Sequence, residues 1–277
     1  MKTRTCKGNA LSTGKSSCPY DRNKIVGAIV VPHGQKLPAD IDGSALEELC
    51  HASRATRVCP INPFVESAKN GGEAQVAAVG YGPNQVTDVN AMTDTFTMGE
   101  FNDLLAQSLS KSMNTPYDVY YYDSNNVIYG LDDETDVLAG FPMSCIYPTI
   151  TPYPTSGAKA TLLVNFCHKD ARTSLENSNF EQLDFNIPTF AYGLTPVKFI
   201  SSGTNKYKLI EVIGGLDRTA EFGPTIASKA ADVLIGTTTG VTYDEATETI
   251  TISGSTAPKL KSPSDLYTAG IKGIEQA

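Results

Sequence analysis

Few residues in this chain have the types and spacing for chemistry, and each meets a plainer competing reading. The stretch Gly8-Asn9-Ala10-Leu11-Ser12-Thr13-Gly14-Lys15-Ser16 has the glycine, lysine and serine of a loop that cradles phosphates on backbone amides. That loop needs four residues between its glycines, a strand before it and a helix after it. Here five residues intervene, nothing strand-like precedes Gly8, and Cys18-Pro19 interrupts any helix, so an extended polar arm is expected. Cys50-His51 with Cys59 offers zinc-type ligands, but a fourth at metal spacing is missing. His33 carries an imidazole suited to general-base work, yet no motif pairs it with a Ser, Cys or carboxylate, and it reads as a loop histidine. His168 and Asp170 supply an imidazole and a carboxylate two positions apart in a polar turn, which reads as solvated. Asp132, Asp133, Glu134 and Asp136 could gather calcium, but they lack the Asp-x-Asp-x-Asp-Gly loop with its distal Glu and read as a solvated acidic loop.

No His-Glu-x-x-His, Gly-x-Ser-x-Gly, Gly-x-Gly-x-x-Gly or paired cysteine knuckle occurs. No catalytic, cofactor-binding or metal-ligating residue is therefore assigned, no cofactor is expected, and the chain is not expected to be an enzyme. The six cysteines, at 6, 18, 50, 59, 145 and 167, are sparse for 277 residues and are expected to be free, mostly buried thiols. The net charge of −8 disfavours a general nucleic-acid surface and favours repulsion of polyanions. Lys2, Arg4 and Lys7 are not followed by an apolar core, so no cleaved signal is expected. The early apolar run Ile25–Val31 contains Gly27 and falls far short of the ~20 residues of a membrane helix, so no membrane partner is expected.

The elements that would carry any site centre on residues 97–130. Thr97-Met98-Gly99-Glu100 has the form of a capping box. Phe101, Leu104, Leu105, Leu109 and Met113 then recur at helical spacing, predicting an amphipathic helix over 98–113. Tyr117–Tyr122, the turn Ser124-Asn125-Asn126 and Val127–Tyr129 predict a β-hairpin. Further strands are expected over 25–31, 73–81, 85–90, 137–141, 160–167, 182–187, 196–201 and 207–213, with a hairpin over 240–254 and a short helix over 44–52 capped by Ser44. The fold class expected is α+β, mainly β: packed antiparallel sheets with one flanking amphipathic helix. The domain reading is an N-terminal arm over 1–24, a β-rich core over 25–152, a second β-rich region over 153–254 and a C-terminal arm over 255–277. The proline-rich stretch 147–158 supplies the boundary. Both arms are too polar to offset their ordering entropy alone and are expected to order against a neighbour.

The order helix, Tyr117-Asp118-Val119-Tyr120-Tyr121-Tyr122-Asp123, turn, Val127-Ile128-Tyr129-Gly130 resembles virion proteins of tailed bacteriophages, particularly tail-tube-type proteins. The hairpin around Thr242-Tyr243-Asp244-Glu245-Ala246-Thr247 resembles small immunoglobulin-like modules attached to phage structural proteins. The resemblance implies two packed β-sheets with a flanking helix, self-assembly into rings or a tube, other virion proteins as partners, and DNA met only passively through the channel. It implies a place in the virion after assembly in the host cytoplasm, and no catalytic residues. Two other classes stay open: a β-rich binding or adhesion module, or another capsid or tail accessory protein, on one side, and an enzyme whose site is assembled from distant residues on the other.

Overall fold

A computed structural model describes residues 23–78, 80–135, 137–150, 153–154, 157, 159–236, 240–253 and 257–277. The phosphate-loop-like stretch, Cys6, Cys18, and all but Asn23 and Lys24 of the expected N-terminal arm lie outside these residues. The described chain is α+β and mainly β. It forms two compact units, one of residues up to Leu46 with Val58–Ala191, the other of Glu47–Arg57 with Tyr192–Ala277. The division therefore falls at Ala191/Tyr192, not within 147–158. The prolines of that stretch do not end a domain: Pro148 lies inside a strand and faces Val164 across an antiparallel pair.

The first unit holds strands β1 (Ile25–Pro32), β2 (Cys59–Ile61), β3 (Phe64–Gly71), β4 (Ala74–Ala78), β5 (Asn84–Val89), β6 (Met92–Met98), β7 (Tyr117–Asp123), β8 (Val127–Leu131), β9 (Phe141–Ile150), β10 (Leu162–His168) and β11 (Ser178–Gln182). Its helices are α1 (Gly43–Cys50, which the division cuts between Leu46 and Glu47), α2 (Asp103–Lys111), α3 (Ala171–Glu176) and α4 (Ile187–Phe190). The main sheet runs β11-β8-β7-β9-β10-β6-β3, with β1 pairing both β2 and β7. β7 is its keystone, flanked by β1 on one edge and by β9 and then β8 on the other, all antiparallel. Six of its seven residues are buried, because β-branched and aromatic side chains fill both faces. Tyr121 packs among Phe96, Phe141 and Phe166, and Phe96 stacks on Phe64 with ring centroids 4.5 Å apart. On the opposite face the Tyr120 hydroxyl donates to the Leu138 carbonyl at 3.1 Å, and Tyr122 accepts from Asn62 Nδ2 at 2.8 Å. Gly27 is required there, since a Cβ on it would stand 2.2 Å from the Tyr122 hydroxyl oxygen.

The predicted hairpin 117–130 and strand 25–31 are present. The helix expected over 98–113 is shorter, spanning Asp103–Lys111. Thr97 and Met98 are still paired in β6, so they cannot cap it, and Asn102 Oδ1 caps α2 by accepting the Leu105 amide at 3.1 Å. Ala106 and Leu109 are buried, whereas Leu104 and Met113 are exposed. Asp42, not Ser44, caps α1, through the Ala45 amide at 2.7 Å. Pro142 does not end a strand over 137–141 but opens β9 opposite Asp118. Residues 183–186 leave the sheet, and Ile187–Phe190 turn as α4.

The second unit holds β12 (Thr195–Gly203), β13 (Lys206–Glu211), β14 (Val241–Asp244), β15 (Thr249–Ile252) and β16 (Ile274–Gln276), with α5 (Thr219–Ser228), α6 (Ala230–Val233) and α7 (Pro263–Thr268). The sheet order is β14-β15-β13-β12-β16, with β12 and β16 parallel. Phe222, Ile226, Val233, Leu266 and Ile271 cover it, together with Leu209, Ile250 and Ile274. The described part of 255–277 is thus core and sheet, not an arm. The 241–252 hairpin is present, but one sheet covered by helices is not an immunoglobulin-like sandwich, which pairs two sheets face to face.

Candidate functional site

The most unusual surface lies in the first unit, on the hairpin that β3 and β6 extend beyond the main sheet. Its base is seven register pairs, Phe64↔Met98 to Gly71↔Met92. Beyond Gly71 and Gly72 the same two chain segments continue as β4 and β5, a separate two-stranded ribbon. Gly71 (φ +83°) and Gly72 (φ +79°) make the bend. A Cβ on Gly71 would stand 1.7 Å from the Ala91 carbonyl oxygen, so no other residue fits. Every residue of β4 and all but Val89 of β5 are exposed. Val76 is 57% exposed, Val86 64%, and Tyr81 at the tip fully so. The outer edge strand β3 exposes every residue from Val65 to Asn70. The sequence alternation over 85–90 predicts a half-buried strand; among the described residues every side chain of β5 but Val89 is exposed instead.

Three polar clusters gather the residues that the sequence marked as chemical. His33 Nδ1 lies 2.7 Å from Asp118 Oδ1, and the Gly34 amide donates to Asp118 Oδ2 at 2.7 Å, so this histidine does have a carboxylate partner. His168 is buried rather than solvated. Its Nε2 lies 2.8 Å from Asp94 Oδ2, its Nδ1 2.9 Å from Ser174 Oγ, while Asp170 instead caps α3. By distance this is a serine–histidine–aspartate chain. It borders a cavity of about 270 Å³ lined by Met92, Phe96, Tyr121, Tyr129 and Phe141, with Lys69 and Asp94 as its charges. However, the Ser174 hydroxyl donates to the Asp170 carbonyl at 2.8 Å and the serine is 3% exposed. A nucleophile must hand its proton to the imidazole and meet a substrate. Here that proton is aimed at the Asp170 carbonyl, and although Ser174 and His168 both line the cavity, the chain serves as a strut joining α3, β6 and β10. Burial, then the nearby Asp94 charge, pushes the Tyr121 phenol well above its ordinary range.

The third cluster is internal to the second unit. Glu47, 7% exposed, accepts from Tyr192 Oη at 2.5 Å, Tyr267 Oη at 3.0 Å and Lys272 Nζ at 2.6 Å. Burial raises its pKa, but the hydrogen bonds from Lys272, Tyr192 and Tyr267 together outweigh that and hold the carboxyl below its ordinary value. His51 is fully buried. The Gly273 amide donates to its Nε2 at 2.9 Å, so the proton sits on Nδ1, which donates to the Glu47 carbonyl at 2.7 Å. Burial lowers its pKa against the opposing pull of that carbonyl. Both ring nitrogens are engaged, so His51 cannot join Cys50 as a metal ligand. Among the described residues no group of three or more His, Cys, Asp or Glu side chains could hold a metal ion. The acidic loop is open to solvent at Asp133 and Glu134, with Asp133 paired to Lys36; Asp136 lies outside the described residues. Of the described cysteines only Cys50 is buried, against the expectation of mostly buried thiols: Cys59 is exposed and Cys145 and Cys167 are half-buried. Among the described residues no helix is long and apolar enough to cross a membrane.

No family model matches the chain, and no curated protein matches it in sequence. Among solved structures, the anti-feeding prophage cap, which terminates that particle's tube, is similar over 63% of this chain and all of its own, at 10% identity and a TM-score of 0.28.

Proposed function

We propose that this chain is a non-catalytic structural subunit of a tailed-bacteriophage-type virion, which assembles with copies of itself and other virion proteins through the β4–β5 ribbon. The observation that carries the reading is the ribbon itself. It presents Val76, Val86 and Tyr81 to water, and among the described residues its ladder edges and the outer edge of β3 are unpaired. A two-stranded ribbon is marginal in water, and an open edge is a template for another chain. A neighbour that adds a strand supplies main-chain hydrogen bonds and covers the apolar side chains. The tyrosine-rich hairpin behind a helix supports the tube-type reading. An excess of acidic over basic residues suits a ring through which DNA passes without sticking, since like charge repels the polyanion. Assembly would take place in the host cytoplasm, ahead of incorporation into the virion.

The test is electron microscopy and sedimentation of the purified chain beside a variant in which residues 73–89 are replaced by a short turn. Rings or tubes from the parent, and subunits of unchanged melting temperature from the variant, are expected. A parent that stays monomeric at high concentration, or a variant that assembles as well as the parent, overturns the proposal.

A further inference from the structure

The main sheet of the first unit carries a pair of cysteines on neighbouring strands, away from the ribbon. Cys145 on β9 and Cys167 on β10 are direct register partners in an antiparallel pair. The Cα atoms of such partners lie about 4.5–5.5 Å apart, within the span a disulfide bridges. Their Cβ atoms, about 4.5–5.5 Å apart in a regular ladder, must close to about 3.8 Å. The ladder is not regular here. Register shifts between Cys167 and His168, which leaves Ser144 as an extra residue on β9, and a bulge of this kind lets the strand bend locally. The side chains are neighbours: Cys167 lies close enough to raise the Cys145 thiol's pKa, and the Thr93 hydroxyl donates to the Cys167 sulfur at 3.6 Å. Both cysteines are half-buried, so a small reagent reaches them.

We propose that Cys145 and Cys167 form a redox-modification site that exchanges with low-molecular-weight disulfides of the glutathione type to give a reversible cross-strand disulfide. One thiol loses its proton and attacks the reagent's sulfur, which releases one reagent thiolate and leaves a mixed disulfide. The second cysteine, as thiolate, then attacks the protein sulfur of that mixed disulfide and expels the other reagent thiolate. Two protein thiols are oxidised, one reagent disulfide is reduced to two thiols, and the protons leave to solvent or reagent. Burial, reinforced by Cys167, raises the Cys145 pKa, so the exchange runs faster as pH rises. The product staples β9 to β10 beside the His168 strut.

The experiment uses the full reduced chain, exposed to oxidised glutathione and mapped by mass spectrometry of its peptides. One linked pair containing Cys145 and Cys167 is expected, lighter by two hydrogens, while exposed Cys59 carries a glutathione adduct. Cys145→Ser should abolish the link and leave Cys167 as a stable glutathione adduct. Should that variant fail to fold, the parent's peptide map decides alone. Cys145 and Cys167 still free, separately glutathionylated or linked to other cysteines once Cys59 has fully reacted would overturn the proposal.

Discussion

Replacing Glu47 by Ala removes one carboxylate and strands three donors at once. Their worth follows from their exposure. Lys272 is half exposed, so its ammonium rehydrates when the partner goes, and the pair counts for about 0–1 kcal/mol. The Tyr192 and Tyr267 hydroxyls are partly shielded and bond a charged acceptor, an interaction worth about 1.5–3 kcal/mol when buried and about half that here. Truncation of the Glu47 stem adds little, because α1 supplies the surrounding backbone. The sum is about 2–4 kcal/mol for Glu47→Ala. The assay is urea unfolding at neutral pH, with amide exchange read at Leu209 and Ile250 so that the second unit is followed by itself. Tyr192→Phe and Tyr267→Phe should each cost about 1–1.5 kcal/mol in the parent and almost nothing in the Glu47→Ala background. A Glu47→Ala loss within about 0.5 kcal/mol of zero, or additive tyrosine losses, would refute the claim that this carboxylate anchors the cluster.

The same cluster sets a pH dependence. His51 has a folded pKa below its ordinary 6.5 and Glu47 one below its ordinary 4.5, so in both cases the unfolded chain binds the proton first. Stability of the second unit should therefore be full above pH 6.5 and fall as pH drops below it, by at most about 1.4 kcal/mol per pH unit per proton, with a second loss beginning below 4.5. His51→Gln should flatten the first step and spare the second, as read by urea titration across pH 4–7. In the first unit, Leu109→Ala should cost about 2–5 kcal/mol, whereas Leu104→Ala, on the exposed face of α2, should stay within about 0.5 kcal/mol by thermal unfolding. Gly71→Ala should cost more than the about 1–2 kcal/mol of its left-handed backbone, because the new Cβ meets the Ala91 carbonyl, and it should raise amide exchange across β4 and β5 selectively.

What the sequence made legible was local. A run of strand formers interrupted by a turn marks Tyr117–Tyr129, alternation around a turn marks Val241–Ile252, and a short run of β-branched residues marks β1. Where punctuation and packing disagree, packing won. Gly223 and Pro224 both lie inside α5, where the glycine lets the Tyr243 ring approach to 2.5 Å of where a Cβ would sit. Leu266 and Ile271 read as isolated anchors in a polar tail and are fully buried. The chemical clusters were illegible for a different reason. His33 meets Asp118 from 85 positions away, His168 meets Asp94 from 74, and Lys272 meets Glu47 from 225. No motif spacing encodes such meetings; only strand register and helix docking create them. A buried histidine is the one signal available, and its sequence neighbours, Lys169 and Asp170, pointed to solvent instead. The ribbon fails in the opposite sense: alternation reports which side chains share a face and is silent on whether anything covers that face.

The ribbon also has an energetic shape that argues for a partner. Ordering each of its residues costs about 1–2 kcal/mol, and its exposed side chains offer almost no burial to offset this within the subunit. Each ladder hydrogen bond returns only about 0.5–1.5 kcal/mol. The bend at Gly71 and Gly72 adds the entropy of two glycines. That balance supports the proposed contact with a neighbouring surface. The main core, by contrast, is held by its own aromatic rings: Phe64, Phe96, Phe166, Tyr121 and Phe141 pack on one another with ring centroids 4.5–6.3 Å apart. On the proposed reading, stability and assembly rest on different residues. Replacing Val76 and Val86 together by Thr, which keeps strand propensity but removes apolar contact, should leave the subunit's melting temperature unchanged and weaken assembly at least tenfold by sedimentation, a factor equivalent to about 1.4 kcal/mol. A variant that melts several degrees lower as an isolated subunit would mean the ribbon belongs to the subunit's own core, and its role as a contact between copies would have to be given up.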